Sequence, residues 1–354
     1  MKAIVLCAGE GTRLRPLTHT SAKHLIPVAN RPVIEYTLEA LKEAGIRDVG
    51  VVVSPNVEEE FRAALGDGSR FGLRVDYVIQ ERPRGLAHAV QCAREFVDDE
   101  PFLVYLGDNL LEQGVRGLVE EFERGGANAL LLLAEVDDPT RFGVAELRDG
   151  EVVRLIEKPK EPPSNLAIVG VYLFDPHIFE AIERITPSAR GELEITDALQ
   201  TLIEQGYRVK PYLLKGWWKD VGLPEDMLDA NRILLESLEP QIRSPIPPDS
   251  RVVGRVAVAE NVQIERSELR GPLVIGPGAV VRESFVGPFT SLDRDVIVED
   301  SEIEYSIVMA GAAIRGTGRI ENSLIGRHVI LSRNERPPET YQFVIGDNSR
   351  VRLI

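Results

Sequence analysis

Two cysteines in 354 residues, Cys7 and Cys92, exclude a disulfide framework and leave no metal knuckle to build. Both fall in apolar-periodic segments, as buried thiols of a reducing compartment do. Positive charge is also short. Lys and Arg number 41 against 56 Asp and Glu, and the net charge of −15 argues against a duplex-nucleic-acid binder. A local basic pocket for a small anion stays compatible with that balance. Long apolar runs are missing too. AIVLCA near the start meets Glu10 and Gly11 too early for a signal h-region, and ALLLLA at 129–134 falls far short of a membrane span. A cytoplasmic protein that engages neither nucleic acid nor membrane is expected. What is present is ordinary for a soluble globular chain, with 44% hydrophobic and 27% charged residues. The length favours two domains.

Two periods divide the chain. Up to about residue 238, strand-like and helix-like stretches alternate. KAIVLCA, DVGVVVS, RVDYVIQ and PFLVYLGD read as strands. VIEYTLEALKEAG sets Ile34, Leu38 and Leu41 on one helical face and stops at Gly45; GLAHAVQCAREFV and PEDMLDANRILLESL read as further helices. This alternation predicts an α/β domain with a Rossmann-like, mostly parallel sheet over 1–238, whose ligands bind beyond the C-terminal ends of the strands. Ala8–Arg15 and Gly107–Asn109 lie at such ends. The proline-rich segment 239–250 reads as a linker. Beyond it an apolar residue recurs every five or six positions, as in Val252, Val258, Ile264, Leu269, Ile275, Val281 and Val286, then Leu292, Val298, Ile303, Met309 and Ile314. Two sixes and a five make a turn of about seventeen, the signature of a solenoid of stacked short strands over 251–354. An antiparallel β domain would repeat every second position instead.

The first strand empties into AGEGTRLRPLT. Glycines let a loop turn its N–H groups toward a phosphate chain, and Arg13 adds a planar fork of donors suited to phosphate oxygens. The loop is neither a P-loop nor the dinucleotide fingerprint, since no G-K-S/T follows and Leu14 stands in place of the third glycine. Gly9-Glu10-Gly11-Thr12-Arg13-Leu14, then Pro16-Leu17-Thr18, then AKHLIPVANRPVIEY with Lys23 and the Pro27-to-Pro32 stretch, resemble the signature of the sugar-1-phosphate nucleotidyltransferases. Ala22-Lys23-His24-Leu25-Ile26-Pro27 is similar to the thymidylyltransferase branch. With the hexad C-terminal half, the whole chain resembles the long-form glucose-1-phosphate thymidylyltransferases, which carry a left-handed parallel β-helix.

That resemblance implies transfer of a thymidylyl group from dTTP to glucose 1-phosphate, giving dTDP-glucose and pyrophosphate, with Mg²⁺ as cofactor. It implies catalytic roles for Arg13, Lys23 and Lys158. Leu6, Ala8, Gly9, Gly11, Thr12, Arg13, Gln80 and Gly85 would bind the nucleotide, Gln80 reading the pyrimidine edge with one acceptor and two donors. Asn109, Gly143, Glu157, Lys158 and Val171 would bind the sugar phosphate. Asp108 and Asp220 would hold the metal, since Mg²⁺ takes one or two carboxylates plus substrate phosphates. The family places Asp-Thr-Gly where this chain has Asp220-Val221-Gly222. Plainer readings stand beside these: Asp220 as the N-cap of the helix that begins at Pro224, and Glu157-Lys158 as a solvated strand end. A uridylyltransferase keeps the same chemistry with UTP. A bifunctional acyltransferase would need a basic residue on the coils, where His328 is the one histidine. A sugar-nucleotide sensor without turnover would have no need of the charged set. A homo-oligomer is expected, with coil edges or the tail FVIGDNSRVRLI pairing between subunits.

Overall fold

A computed structural model describes residues 1–333 and 345–352. The chain divides into two compact units, neither contiguous in sequence: Met1–Glu10 with Val33–Asp220, and Gly11–Pro32 with Val221–Ile354. The segment 239–250 therefore lies inside the second unit. Among the described residues no helix is long and apolar enough to cross a membrane.

The first unit is built on a 9-stranded sheet. Its strands are β1 (Lys2–Leu6), β2 (Asp48–Val53), β3 (Arg74–Ile79), β4 (Phe102–Leu106), β6 (Ala129–Glu135), β7 (Gly143–Arg148), β8 (Glu151–Glu157), β9 (Leu166–Phe174) and β10 (Val209–Leu213). The main path runs β8-β7-β9-β4-β1-β2-β3, with β6 pairing β9 and β10. The half around β1 is parallel, as continuous apolar strands require. β9 runs antiparallel to β4, β6 and β7. A separate two-stranded ribbon pairs β5 (Asn109–Leu111) with β11 (Trp218–Asp220).

Helix α1 (Val33–Glu43) buries Ile34, Leu38 and Leu41 completely. It ends at Gly45, whose φ of 85° supplies the left-handed residue that closes a helix. α2 spans Glu58–Leu65. The stretch expected as one helix over 85–97 is two, α3 (Leu86–Cys92) and α4 (Arg94–Val97). The break falls at Ala93, whose φ of −90° and ψ of 6° leave helical geometry. α5 (Arg116–Glu123), α6 (His177–Arg184) and α7 (Ile195–Glu204) complete the unit. One core joins Ile4, Val104 and Leu131 of the sheet to Val90 of α3, Phe179 of α6 and Leu199 of α7. Each such side chain contributes roughly 1.5–3 kcal/mol by leaving water.

The second unit is a parallel β-helix with one helix and one hairpin packed on it. Val256 pairs with Leu273, which pairs with Thr290, all in parallel. Equivalent corner serines stand 17 residues apart. One coil is a residue shorter, so Ser301 and Thr317 are separated by 16. That shift places Val308, rather than the expected Met309, in the interior column with Leu292 and Ile325. Corners use the left-handed backbone region: Asn261, Gly278, Asp295, Gly311 and His328 form one column with positive φ. His328 is thus a corner residue, and a Cβ on Gly311 would strike its ring. α8 (Pro224–Glu236) belongs to this unit, not to the sheet domain that it was expected to close. The tail expected to pair between subunits, 343–354, lies partly outside the described residues.

Candidate active site

Strand register sets Asp220 across from the residue next to Asp108. Asp220, last in β11, faces Asn109, first in β5. Directly opposed residues of an antiparallel pair sit about 4.5–5.5 Å apart at Cα and project to the same side. Asp108 immediately precedes β5, and Asn109 Nδ2 donates to its Oδ1 at 3.0 Å. Asn109 Oδ1 in turn accepts from Trp218 Nε1 at 2.6 Å, and the Trp218 ring packs on Phe142 with centroids 5.2 Å apart. Asn109, only 2% exposed, therefore orients Asp108. The plainer reading of Asp220 does not apply, because α8 is entered through Leu223 with no side-chain cap. Among the described residues no three His, Cys, Asp or Glu side chains gather as a closed metal cage. Two hard carboxylates at the mouth of a ribbon fit a divalent cation that fills its remaining positions with water and phosphate oxygens.

A second cluster forms where β8 ends. Glu157 stands opposite Gly143 in register, and a Cβ on Gly143 would come within 2.7 Å of Thr196 Cγ2 and 3.2 Å of Glu157 Oε2. The glycine is what lets Thr196 Oγ1 approach Glu157 Oε2, at 3.3 Å. Arg190, on the loop before α7, donates to Glu157 Oε1 at 3.1 Å and Glu194 Oε2 at 2.8 Å. Lys158 Nζ lies 3.6 Å from Glu157 Oε1, on a half-exposed side chain. Burial pushes the Glu157 carboxyl above the ordinary range; Lys158 pulls it back, while nearby Glu194 adds to the rise. Asp197 is raised by burial and by Glu194. Glu157, Lys158, Arg190, Glu194 and Asp197 line an open groove of about 970 Å³ that also includes Arg148, Arg154 and Gln200. A mixed groove of acceptors and fixed cations suits a polyhydroxylated phosphate monoester. Val171 is fully buried at the β9–β4 seam and is not among the residues lining this groove.

A third group follows β3. Gln80 is 4% exposed; its Nε2 donates to Gly85 O at 3.2 Å and to His88 Nδ1 at 2.9 Å. His88 therefore presents a lone pair at Nδ1 and keeps its proton on Nε2. Burial, with Arg84 nearby, pushes its pKa below the usual value, which agrees with a neutral ring. Gly85 has a φ of 102°, and a Cβ there would stand 2.5 Å from Leu193 O. Cys92, on the next turn, has its thiol raised by burial. Leu6 and Ala8 are buried at the end of β1, where Leu6 O accepts from Gly107 N at 3.1 Å.

Gly9 is exposed just beyond β1, and the remaining candidates, Gly11, Thr12, Arg13 and Lys23, lie in the second unit. Gly11 has a φ of 62°, and its carbonyl accepts from Leu14 N at 2.9 Å and Thr18 Oγ1 at 2.8 Å. A Cβ there would come within 3.0 Å of Thr18 Cγ2 and 3.2 Å of Lys23 Cβ. The glycine thus curls the loop and leaves Thr12 and Arg13 exposed. Sequence reasoning missed Arg190, Thr196, Trp218 and His88. The motif GLAHA contained His88, but nothing local distinguished it from a helix-face residue.

A nine-stranded sheet flanked by helices, with a carboxylate-bearing ribbon and a groove of mixed charge in the same unit, defines an α/β enzyme fold. The chain belongs to the nucleotidyl transferase family, whose profile matches residues 2–237. It is 52% identical over 354 residues to a glucose-1-phosphate thymidylyltransferase of Streptomyces griseus, covering 100% of this chain and 99% of that one. Identity to the Streptomyces antibioticus protein of the same name is 49% over 355 residues, with the same coverage. A crystal structure described as a glucose-1-phosphate thymidylyltransferase of Bacillus anthracis, in complex with sucrose, superposes with a TM-score of 0.63. It is 36% identical and covers 68% of this chain and 98% of that one.

Proposed function

We propose that this chain transfers a thymidylyl group from dTTP to glucose 1-phosphate, releasing pyrophosphate and dTDP-glucose, with Mg²⁺ as its cation. Full-length identity to proteins of that name supports the substrates. The observation that carries the chemistry is the register that sets Asp220 against Asn109, beside Asp108. The sugar-phosphate oxygen attacks the α-phosphorus, a new P–O bond forms, and the bond to pyrophosphate breaks with pyrophosphate as leaving group. Two anions must be held together. Like unit charges 4 Å apart repel by roughly 4 kcal/mol at an effective dielectric near 20. Arg13, Lys23, Lys158 and Arg190 offset that repulsion and align the reactants, which is most of what phosphoryl-type transfer asks of a protein. Asp108 and Asp220 hold Mg²⁺, which when bound neutralises phosphate oxygens. Glu157 accepts from sugar hydroxyls beside Gly143. Gln80 reads the base near Gly85, and the backbone from Leu6 and Ala8 through Gly9, Gly11 and Thr12 lies along the nucleotide.

The test is pyrophosphate release with glucose 1-phosphate across dTTP, UTP, GTP, CTP and ATP. The highest kcat/KM is expected with dTTP. UTP lacks the methyl of the base and adds a 2′-hydroxyl on the sugar, differences worth about 1–3 kcal/mol, so it should run second. A preference for UTP, or no pyrophosphate release with any nucleotide, overturns the assignment.

A further inference from the structure

The segment Gly11–Pro32 carries Arg13 and Lys23, yet it packs as part of the C-terminal unit. Its contacts there are specific. Lys23 opens a single helical turn, Lys23–Leu25, closed by Leu25 N donating to Ala22 O at 2.9 Å and Ile26 N to Lys23 O at 3.2 Å. Arg327, at a coil corner, brackets that turn. Its Nη1 donates to Ser21 Oγ at 3.1 Å, two residues before Lys23, and its Nη2 to Leu25 O at 3.4 Å, two residues after. Beside it, Gly326 lets Leu17 approach, since a Cβ there would stand 3.2 Å from Leu17 Cδ2.

A second anchor holds the far end. Pro27–Val28 and Arg31–Pro32 form a tight hairpin turned by Ala29 and Asn30, both with positive φ. Asn30 Nδ2 donates to Leu292 O on a coil strand at 2.6 Å. Asn231 of α8 is fully buried. It accepts from Ala29 N at 2.8 Å and Ser291 Oγ at 2.6 Å, and donates to Phe289 O at 2.9 Å. One amide thereby ties hairpin, helix and coil.

We propose that the β-helix is a positioning scaffold for the phosphate-gripping loop: the corners at Phe289–Leu292 and Gly326–Arg327 hold the turn that presents Lys23, and Arg327 is a positioning residue for nucleotide binding. The inference rests on the reading of Arg13 and Lys23 as phosphate ligands. Misplacement of a charged group by about an ångström costs up to ~10²-fold in rate, so loosening the turn is expected to cost on the order of tenfold.

The experiment is steady-state kinetics of full-length Arg327→Met, Arg327→Lys and Asn30→Ala, with hydrogen exchange of the 21–26 amides. Arg327→Met is expected to raise KM for dTTP by about tenfold, to leave KM for glucose 1-phosphate unchanged, and to speed amide exchange across 21–26. Arg327→Lys should recover part of the loss, and Asn30→Ala should move the same parameters should Arg327→Met fail to fold. An unchanged KM for dTTP with unchanged exchange overturns the proposal. So do both KM values moving together with a fall in Tm, which is what a merely structural contact gives. Lys23→Ala and Arg13→Ala separate the two levels. If both retain wild-type kinetics, the phosphate-ligand reading itself fails; if both are crippled while the Arg327 and Asn30 variants are normal, only the scaffold role does.

Discussion

At the scale of single residues, the site depends on groups whose orientation is set by a neighbour. Asn109 does this for Asp108, and His88 does it for Gln80. The Gln80–His88 bond requires a lone pair on Nδ1, so protonation of the ring removes the acceptor and frees the carboxamide to turn. Burial holds the His88 pKa below its ordinary value. The unfolded chain titrates its histidine near 6.5, so between that pH and the lower native pKa the unfolded state binds more protons. Stability from this group is therefore intact above about pH 6.5 and declines as pH falls toward the native pKa. Binding follows the same direction: KM for dTTP is expected to rise on the acid side while KM for glucose 1-phosphate stays level. His88→Gln supplies an acceptor that does not titrate, and should keep the neutral-pH KM while flattening the acid limb. An acid limb that persists in His88→Gln assigns the effect elsewhere. The motif that contains Gln80 was legible, because a strand end followed by Gly-Leu opening a helix is a local pattern. The dependence on His88 was not, because a one-turn neighbour acquires meaning only once the amide is seen to point at it.

At the scale of elements, the hexad repeat was readable because each short strand contributes one inward residue, and Leu269, Val286 and Ile303 appear in the core as spaced. A second repeat stood in the sequence unread. Ser250, Ser267, Ser284 and Ser301 line one corner, each Oγ accepting from a backbone N–H one coil on. Serine is common in turns, so its period was masked by composition. Ser284 shows what the column does. Its Oγ accepts from Ser301 N at 3.3 Å and donates to Arg282 O at 2.6 Å, and its own N–H donates to Ser267 Oγ at 3.1 Å. Ser284→Ala strands a buried donor and an acceptor, a loss of about 1–3 kcal/mol. Ser237→Ala, on an exposed helix end, should fall within about 0.5 kcal/mol of wild type. Urea denaturation of the two variants checks the contrast. Equal midpoints would mean that the column follows the coil rather than supporting it.

At the scale of the molecule, the proline-rich stretch at 239–250 suggested a linker, and composition does shift there. Packing divides the chain differently, because 11–32 is held by residues that come more than two hundred positions later, and α8 by coil residues 58 and 60 positions on. No local pattern announces a contact of that range; Asn231 in a helix reads as an ordinary polar position until its three bonds are seen. This partition predicts the outcome of truncation. A chain ended at Ser237 keeps α8 and the 27–32 hairpin but loses Phe289, Ser291 and Leu292. Asn231 Nδ2 and Asn30 Nδ2 then lose their acceptors, each costing about 1–3 kcal/mol if left buried. Against a net stability of about 5–15 kcal/mol for a typical domain, that is a large fraction. The truncated chain is expected to aggregate or to melt well below the full chain in calorimetry. A free linker predicts the opposite: a soluble 1–237 fragment with an unshifted transition and native near-UV circular dichroism. Recovery of such a fragment would return α8 and the Lys23 segment to the sheet domain.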